Sequence, residues 1–222
     1  MPRAGFERDV AIIGGCGRVG LPLGIAFASK GLTVTLVDMN RVAVDTVNCG
    51  LMPFREDGAD KLLQIATSGG LLVATTDPAS VRESETVVVV VGTPLDKRLR
   101  PDLAVVPDVV RDCAHYLSEG QLLVLRSTVA PGVTRLIERE LATMGLLVDV
   151  AFCPERIAEG LAMTELFELP QIVGARTETV RARAAELFRH LTRLIIDLEP
   201  EEAELAKLFT NAWRYVNIQP VS

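Results

Sequence analysis

The segment VAIIGGCGRVGLPLGIAFASKGLTVTLVD, residues 10–38, reveals more about the architecture of this chain than any other. An apolar run precedes the glycines Gly15, Gly17 and Gly20, and a second apolar run ends at the acid Asp38. The two runs predict buried parallel strands, and the residues between them predict a connecting helix. A Gly-x-Gly-x-x-Gly spacing between strand and helix, with an acid at the end of the next strand, is typical of a dinucleotide-binding loop.

The three glycines have different predicted roles in such a loop. Gly15 allows a sharp turn after the strand, Gly17 lets a pyrophosphate approach the backbone, and Gly20 packs the helix against the strand. Arg18 and Val19 lie where the helix begins, so that free N–H groups and the positive end of the helix dipole face the phosphates there. A tight strand-to-helix turn without any ligand is the alternative interpretation.

Asp38 predicts which dinucleotide is bound. Its carboxylate would accept hydrogen bonds from both ribose hydroxyls, and its charge would repel a 2′-phosphate. We therefore expect NAD rather than NADP. Cys16, inside the loop, could act as a redox switch, but a small side chain is also what fits against a nearby cofactor.

Continuous apolar runs alternate with segments of helical period along most of the chain. The runs predict strands at residues 10–14, 33–37, 71–74, 86–91, 121–125 and 147–152, and the segments between them predict helices at residues 17–30, 41–49, 103–118 and 131–144. The sequence therefore predicts an α/β fold, a doubly wound parallel sheet forming a Rossmann-like NAD-binding domain. A further apolar stretch at residues 172–173 and a helix at 178–191 complete this domain, which we place at residues 1–198. Residues 199–222 have an apolar face at helical spacing and predict the first part of a central helical segment.

The composition excludes several functional classes. Of all residues, 49% are apolar and 23% are charged, as in soluble globular proteins, and the net charge of -6 argues against a surface that binds nucleic acid or anionic membrane. The N-terminus lacks the long apolar core of a signal peptide, so we expect a cytoplasmic protein. Cys16, Cys49, Cys113 and Cys153 form no C-x-x-C pair, and the two histidines share no ligand spacing. We therefore expect reduced thiols and no metal.

Two loops that directly follow predicted strands carry small polar residues and proline. They are the segments VGTP at residues 91–94, with Thr93, and RSTVAPG at residues 126–132, with Ser127 and Thr128. Ligands of open α/β sheets bind at the carboxyl ends of strands, which favours a functional role. Capping of the next helix by Ser127 or Thr128, with Pro131 in the first turn, is the alternative.

The loop CPERIAEG, residues 153–160, follows a third strand and carries two carboxylates, Glu155 and Glu159. Four residues apart, they could share one face of a helical turn and act on a proton and a water, or they could be exposed acids at a helix start. Lys207 and Asn211 have the same spacing on the last predicted helix, where a lysine is commonly a solvated flank. Cys153 could be a nucleophile, but a small apolar residue at a strand end also explains it.

Taken in order, these segments resemble the nucleotide-sugar 6-dehydrogenase family, whose members oxidise C6 of a UDP- or GDP-sugar to a uronic acid. The resemblance covers essentially the whole chain and rests on GGCGRVGLPLG, VGTP, RSTVAPGVT, CPERIAEG and EEAELAKLFTNAWRYVN. UDP-glucose enzymes of this family usually have phenylalanine at the position of Arg156. PER followed by LPQIVG is more similar to the branch acting on UDP-N-acetylhexosamines, above all UDP-N-acetylmannosamine. A guanidinium at position 156 could pair with an acetamido or phosphate oxygen.

The resemblance implies a four-electron oxidation that uses two NAD molecules in turn and passes from the aldehyde through a cysteine thiohemiacetal to a thioester, which is hydrolysed. Thr128 and Glu155 would hold and activate water, with Glu155 as the general base, and Glu159 matches a site carboxylate. Lys207 would stabilise the developing oxyanion electrostatically, and Asn211 would assist by hydrogen bonding.

The resemblance also places Thr93 and Thr128 beside the nicotinamide, but the chain departs from the family in one respect. The family's nucleophilic cysteine lies beyond position 222, in a UDP-binding domain that this chain lacks, and none of the four cysteines matches it. We therefore expect the cofactor-binding portion of such an enzyme, unable by itself to complete thioester chemistry. The apolar face around Phe209 and Trp213 predicts self-association as a homodimer or higher oligomer.

Three alternatives remain open from the sequence. The substrate could be UDP-glucose instead of a UDP-N-acetylhexosamine. The chain could be another NAD-dependent dehydrogenase of the same broad fold that acts on a 2-hydroxy or 3-hydroxy acid, which leaves the segment from CPERIAEG to Lys207 unexplained. It could also be a non-catalytic NAD-binding or partner-binding module, since the nucleophile is missing.

Overall fold

One mixed, mostly parallel sheet of eight strands organises the protein. The computed structural model describes residue 2 and residues 5–92, 102–158 and 160–218, with only the backbone of residues 215, 217 and 218. The strands are β1 (Arg8–Ile13), β2 (Val34–Val37), β3 (Leu72–Thr75), β4 (Ser84–Val89), β5 (Leu122–Leu125), β6 (Asp149–Phe152), β7 (Gln171–Gly174) and β8 (Ile195–Leu198). Their order in the sheet is β3-β2-β1-β4-β5-β6-β7-β8.

Helices cover both faces of this sheet. They are α1 (Gly20–Ser29), α2 (Arg41–Asn48), α3 (Ala59–Ser68), α4 (Val105–Cys113), α5 (Val133–Thr143), α6 (Ala162–Glu168), α7 (Glu178–Arg189) and α8 (Pro200–Ile218), with short 3₁₀ turns at Pro78–Glu83 and Ala114–Tyr116. Residues of α1, α2, α3, α6 and α7 share one core cluster, whereas residues of α4, α5 and α8 belong to the other. The sheet is therefore doubly wound, as its alternating pattern predicts.

The two cores explain why the strands are continuous apolar runs. In β1, Val10 and Ile12 belong to one core, while Ala11 and Ile13 belong to the other. Successive side chains of a strand point to opposite faces, so a strand between two helical layers must be apolar at every position. Burying such runs is the main source of the fold's stability.

The sheet also creates the crevice in which ligands of such folds bind. Strand β1 pairs in parallel with β2 on one side and with β4 on the other. The chain reverses its winding direction at this point, so the loops after β1 and β4 diverge and leave a crevice at the carboxyl ends of the strands.

The structure corrects three expectations about secondary structure. Strands β6 and β7 pair antiparallel, through Phe152 and Gly174 only, so the sheet is not wholly parallel. The sequence did not predict α3, α6 or β8. The helix expected at residues 103–118 ends at Cys113 and continues as a 3₁₀ turn, and α1 begins at Gly20 instead of residue 17. A strand buried on both faces has the same apolar pattern in either direction, which is why the pattern could not indicate the reversal.

Helix α8 packs on the sheet only through its first two turns. Ala203 is fully buried, and a Cβ at Gly174 would lie only 2.7 Å from the Ala203 Cβ, so the glycine allows this close approach. Phe209, Trp213 and Val216 are each 71% exposed. Among the residues that the structure describes, no helix is long and apolar enough to cross a membrane, and no cluster of three or more His, Cys, Asp or Glu side chains could hold a metal ion.

Candidate active site

The glycine loop between β1 and α1 is shaped by packing on three sides. Gly14 has φ +77°, so the sharp turn lies there and not at Gly15 as expected. A Cβ at Gly15 would lie 2.7 Å from the Leu36 Cβ, and one at Gly20 would strike the Gly14 carbonyl oxygen and lie 2.8 Å from the Gly15 Cα. Gly17 is exposed, and its Cβ would meet only the Gly14 oxygen at 3.4 Å. Gly17 is therefore the glycine of this motif with the most open space beside its backbone.

The start of α1 lacks a protein cap. Val19 is the N-cap residue, and no side chain caps it. In the first turn of α1 the Leu21 N–H donates to the Gly17 oxygen at 3.0 Å and Pro22 has no N–H, so the attraction for phosphate here comes chiefly from the positive end of the helix dipole. Arg18 is exposed beside them, with its guanidinium 5.3 Å from the centre of the Phe54 ring. This arrangement fits a pyrophosphate.

Asp38 lies at the end of β2, where it both closes the loop and faces the crevice. Its Oδ2 accepts the Cys16 N–H at 3.0 Å, and its Oδ1 accepts the Asn40 N–H at 3.0 Å. Each carboxylate oxygen has a further lone pair, so both can also accept ribose hydroxyls. Burial, reinforced by the charge of Asp38, raises the pKa of the Cys16 thiol to about 12. A thiol held protonated in this way is a poor redox switch, and the small-residue interpretation fits better.

The loop after β5 is tied to the loop after β4. The Ser127 hydroxyl accepts the Val91 N–H and donates to the Val91 carbonyl, both at 2.8 Å. The capping alternative for Ser127 and Thr128 is wrong, because α5 begins only at Val133 and its N-cap residue is Gly132. Thr128 is half-buried in this loop. Thr93 lies outside the described residues.

Glu155 forms a buried ion pair after β6. Its Oε2 accepts Arg126 Nε at 2.8 Å and Nη2 at 2.6 Å, and its Oε1 accepts the N–H groups of Arg156 at 2.6 Å and Ile157 at 2.7 Å. Both residues are buried. A charged carboxylate in a protein interior is tolerated only when it is paired in this way. Accepting a proton would require Glu155 to release one of these four donors.

Sequence reasoning missed Arg126 as a site residue. It is 2% exposed, donates to the Gln171 Oε1 at 2.9 Å and to the Cys153 carbonyl at 3.2 Å, and lies 5.2 Å from the centre of the Phe188 ring. The available signal was its place directly after the buried run of β5, where a long cation must find a partner. Cys153 beside it is fully buried, and burial raises the pKa of its thiol to about 12.

Lys207 reaches the same segment from α8. Its Nζ donates to the main-chain oxygen of Glu155. Burial lowers the pKa of its amine to about 8, against the attraction of the Glu155 carboxylate, and the guanidinium groups of Arg214, Arg126 and Arg156 lower it further. Below this pKa the amine is charged, as an oxyanion stabiliser requires.

The surroundings of Glu155 are positively charged. Arg156 donates to the Pro170 oxygen at 3.1 Å, and Arg214 donates to the main-chain oxygens of Arg156 and Ile157. Lys207 adds a third cation, and the carboxylate of Glu165, which accepts the Ala158 N–H, offsets one of the three charges. The protein as a whole carries a charge of -6, so this local excess favours an anionic ligand here.

A cavity joins the glycine loop to the segment after β6. It measures about 170 Å³ and is lined by Arg18, Val19, Glu56, Ile157, Ala158 and Ala162. The predicted cofactor loop and the predicted catalytic segment thus border one space. Asn211 is exposed on α8, one turn beyond Lys207, and Glu159 lies outside the described residues.

A doubly wound sheet, an open glycine at an uncapped helix start and an acid at the end of β2 define a dinucleotide-binding oxidoreductase domain. Residues 8–192 match the family model described as the NAD-binding domain of the UDP-glucose/GDP-mannose dehydrogenase family. The chain belongs to this family and carries its NAD-binding domain.

Named relatives agree with this assignment. The UDP-N-acetyl-D-mannosamine dehydrogenase of Escherichia coli K12 is 34% identical over an alignment of 217 residues, which covers 92% of this chain and 51% of that protein. The structure of UDP-D-ManNAc dehydrogenase from Pyrococcus horikoshii superposes with a TM-score of 0.88 at 30% identity, covering 95% of this chain and 51% of that one. GDP-mannose dehydrogenase from Pseudomonas aeruginosa gives 0.85 at 29% identity, covering 94% and 50%. The chain spans about half the length of these relatives.

Proposed function

We propose that this chain is the cofactor-binding part of an NAD-dependent dehydrogenase that oxidises C6 of a UDP-N-acetylhexosamine, UDP-N-acetylmannosamine above all, to the uronate. The observation that carries the proposal is the shared cavity between the glycine loop and the segment after β6. There the uncapped start of α1 at Val19 and the residues Ile157 and Ala158 border one space, and these two residues directly follow the buried Glu155 and Arg156. The proposal divides the chain into a cofactor-binding domain at residues 1–198 and a central segment at 199–222.

In this proposal the glycine loop holds the dinucleotide. The amides at the start of α1 bind the pyrophosphate, Gly17 leaves room for it, and Asp38 accepts the ribose hydroxyls. Arg18 and Val19 border the phosphates, and Thr93 and Thr128 lie beside the nicotinamide. NAD, when bound, accepts a hydride from the alcohol carbon.

The chain's own residues prepare the substrate for that transfer. Charged Lys207 stabilises negative charge that develops on the sugar oxygen, and Asn211 assists by hydrogen bonding. Glu155, with Thr128, holds water, and as a general base it exchanges one of its four N–H partners for that water. Glu159 supplies the second carboxylate of the segment. Burial keeps the thiol of Cys153 protonated, so we assign no covalent step to it.

Arg156 supports the choice of an N-acetylated sugar over glucose. Its Nη1 donates to the Pro170 oxygen, whereas its buried Nε has no hydrogen-bond partner among the described residues, so an amide or phosphate oxygen would find a donor there. Relatives named for UDP-N-acetyl-D-mannosamine match most of this chain. UDP-glucose remains the second candidate substrate, and ligand-observed NMR distinguishes it from UDP-N-acetylmannosamine.

Calorimetric titration with NAD and with NADP tests the cofactor half of the proposal. The parent chain should bind NAD saturably, with NADP weaker by about tenfold or more. Asp38→Asn removes the negative charge but keeps one acceptor for the Cys16 N–H. It should therefore reduce the ratio of the NADP dissociation constant to the NAD dissociation constant. Asp45→Asn, on the exposed face of α2, is the matched control and should leave the ratio unchanged. A folded parent chain that binds neither nucleotide contradicts the proposal.

Ligand-observed NMR tests the sugar half. With NAD present, UDP-N-acetylmannosamine should show saturation transfer to the protein, UDP-glucose should show less, and lactate and 3-hydroxyisobutyrate should show none. Transfer to a hydroxy acid but to no nucleotide sugar would favour the other dehydrogenase class. NAD binding without transfer to any of these compounds would favour the non-catalytic module.

The exposed end of α8 supports a homodimer or higher oligomer as the partner state. Leu205 is 43% exposed, and Phe209, Trp213 and Val216 are more so, forming an apolar face beyond the part that packs on the sheet. Light scattering at high protein concentration should show association, and Trp213→Glu should weaken it. A monodisperse monomer at all concentrations would contradict this part.

A further inference from the structure

The carboxylate of Glu204 is buried in a place that the site residues above do not explain. It lies on α8 with no exposed surface, 70 and 72 residues away in sequence from the two residues that it contacts. Its Oε2 accepts the Gly132 N–H at 2.6 Å, and its Oε1 accepts the Thr134 N–H at 2.8 Å and the Thr134 hydroxyl at 2.6 Å. A buried acid persists only if such bonds compensate its desolvation.

These three donors are the first turn of α5, which has no cap of its own. Gly132 is its N-cap residue, with φ +94° and no side chain to offer. A negative charge at a helix N-terminus binds free N–H groups and is favoured by the helix dipole. Glu204 thus supplies the cap of one helix from another helix.

The contact fixes how α8 lies on the domain. Glu204, Lys207 and Asn211 follow one another at helical spacings of three and four residues, so they share one face of α8. The second close contact of this helix is Ala203 against Gly174, one residue earlier. Beyond Lys207, α8 contacts the segment after β6 once more through Arg214, which donates to the main-chain oxygens of Arg156 and Ile157. Glu204 is therefore the last polar anchor before the lysine.

The same contact links two candidate site elements. The β5–α5 loop, which carries Thr128, runs directly into Gly132, and α8 carries Lys207. We propose that Glu204 is a positioning residue. Its hydrogen bonds to Gly132 and Thr134 hold Lys207 against the Glu155 segment. The catalytic role of Lys207 rests on the proposed function, whereas its position against the Glu155 segment can be tested without cofactor or substrate.

The test is the pH dependence of Lys207 acylation by an N-hydroxysuccinimide ester, quantified by mass spectrometry, with exposed Lys61 as the internal reference. In the parent chain the Lys207 profile should have its midpoint near the pKa of about 8 that burial produces. In Glu204→Ala the helix loses its clasp, Lys207 gains water, and the midpoint should rise by about one pH unit or more toward 10.5. Glu178→Gln, an exposed acid in the first turn of α7, should leave the midpoint unchanged.

Two milder variants keep the test decisive if Glu204→Ala fails to fold. Glu204→Gln keeps one acceptor oxygen but sets an amide donor against an N–H donor, and Thr134→Val removes only the hydroxyl bond. Each should raise the Lys207 midpoint by roughly half a pH unit. A folded Glu204 variant whose midpoint equals that of the parent overturns the proposal. If these variants shift the Lys207 midpoint but the parent chain does not bind NAD, the proposed function is refuted and the positioning role of Glu204 is not.

Discussion

Replacing Arg126 with methionine should destabilise the protein severely, because it leaves a buried carboxylate without its cation. Arg126→Met keeps an unbranched apolar chain beside Phe188 but removes the two bonds to Glu155 Oε2 at 2.8 and 2.6 Å, and those to Gln171 and Cys153. Removing one partner of a buried pair costs about 3–5 kcal/mol. Since domains of this kind are stable by only about 5–15 kcal/mol, the loss is a large fraction of the total.

A double variant distinguishes the cost of the unpaired buried charge from the cost of the lost contacts of Arg126. Arg126→Met combined with Glu155→Gln removes both charges, while the glutamine can still accept an N–H from Arg156 or Ile157. We expect the double variant to be more stable than Arg126→Met alone, with a total loss of roughly 1–2 kcal/mol from the parent. A double-mutant cycle with Glu155→Gln gives the coupling energy directly.

Urea unfolding followed by circular dichroism measures these differences, with the slope of the free energy against urea checked for each variant. The matched control is Arg55→Met, which breaks the pair with Asp57, where the side chains are 90% and 74% exposed. It should cost less than about 0.5 kcal/mol. The reasoning is refuted if Arg126→Met unfolds within about 1 kcal/mol of the parent, or if the double variant gains nothing over it.

Three further predictions follow from the site. Gly20→Ala should destabilise the fold and abolish NAD binding, because its Cβ would meet the loop backbone. Gly17→Ala should be as stable as the parent but bind NAD more weakly in calorimetry. Equal stability losses for the two variants would contradict the packing argument. The amine of Lys207 has a folded pKa of about 8 against 10.5 in the unfolded chain, so burial of its charge costs stability below pH 8, and this cost disappears as the pH rises to 10.5. Relative to Lys207→Met, the parent should therefore gain up to about 3 kcal/mol in urea unfolding between pH 7.5 and 10.5, and a flat difference would contradict this. With a disulfide reagent at pH 8, exposed Cys49 should react quickly and Cys153 only as fast as the protein opens, and early labelling of Cys153 in a peptide map would contradict its burial.

The strands were predictable wherever both faces are buried. Strands β1 and β4 lie within two residues of their expected bounds, because a residue between two helical layers must be apolar whichever way it points. Strand β8 gave no such signal. It lies at the sheet edge with Ile196 40% exposed and Asp197 within it, so its pattern is mixed and resembles a loop.

The local parts of the candidate site were predictable, and the long-range parts were not. The glycine loop and Asp38 are encoded within one strand–helix–strand unit, where backbone sterics dictate the residue types. Arg126 and Glu155 are 29 residues apart, and Glu204 meets Thr134 across 70. A lone arginine or glutamate in a sequence resembles a surface residue, since only the fold shows which charge faces it. Glu204 therefore went unnoticed beside Lys207.

The polar residues at the carboxyl edge of the sheet bind loop backbone groups as well as lying at the candidate ligand site. Loops lack the regular ladders of strands and helices, so their backbone groups need side-chain partners. Asp38 holds the Cys16 N–H, Ser127 holds both backbone groups of Val91, and Glu204 holds the first turn of α5. A substitution at such a position alters the loop as well as any contact with a ligand. Weaker NAD binding by Asp38→Asn therefore counts as evidence for a ribose contact only if the variant remains fully folded under the conditions of the titration, so its unfolding must be measured on the same sample.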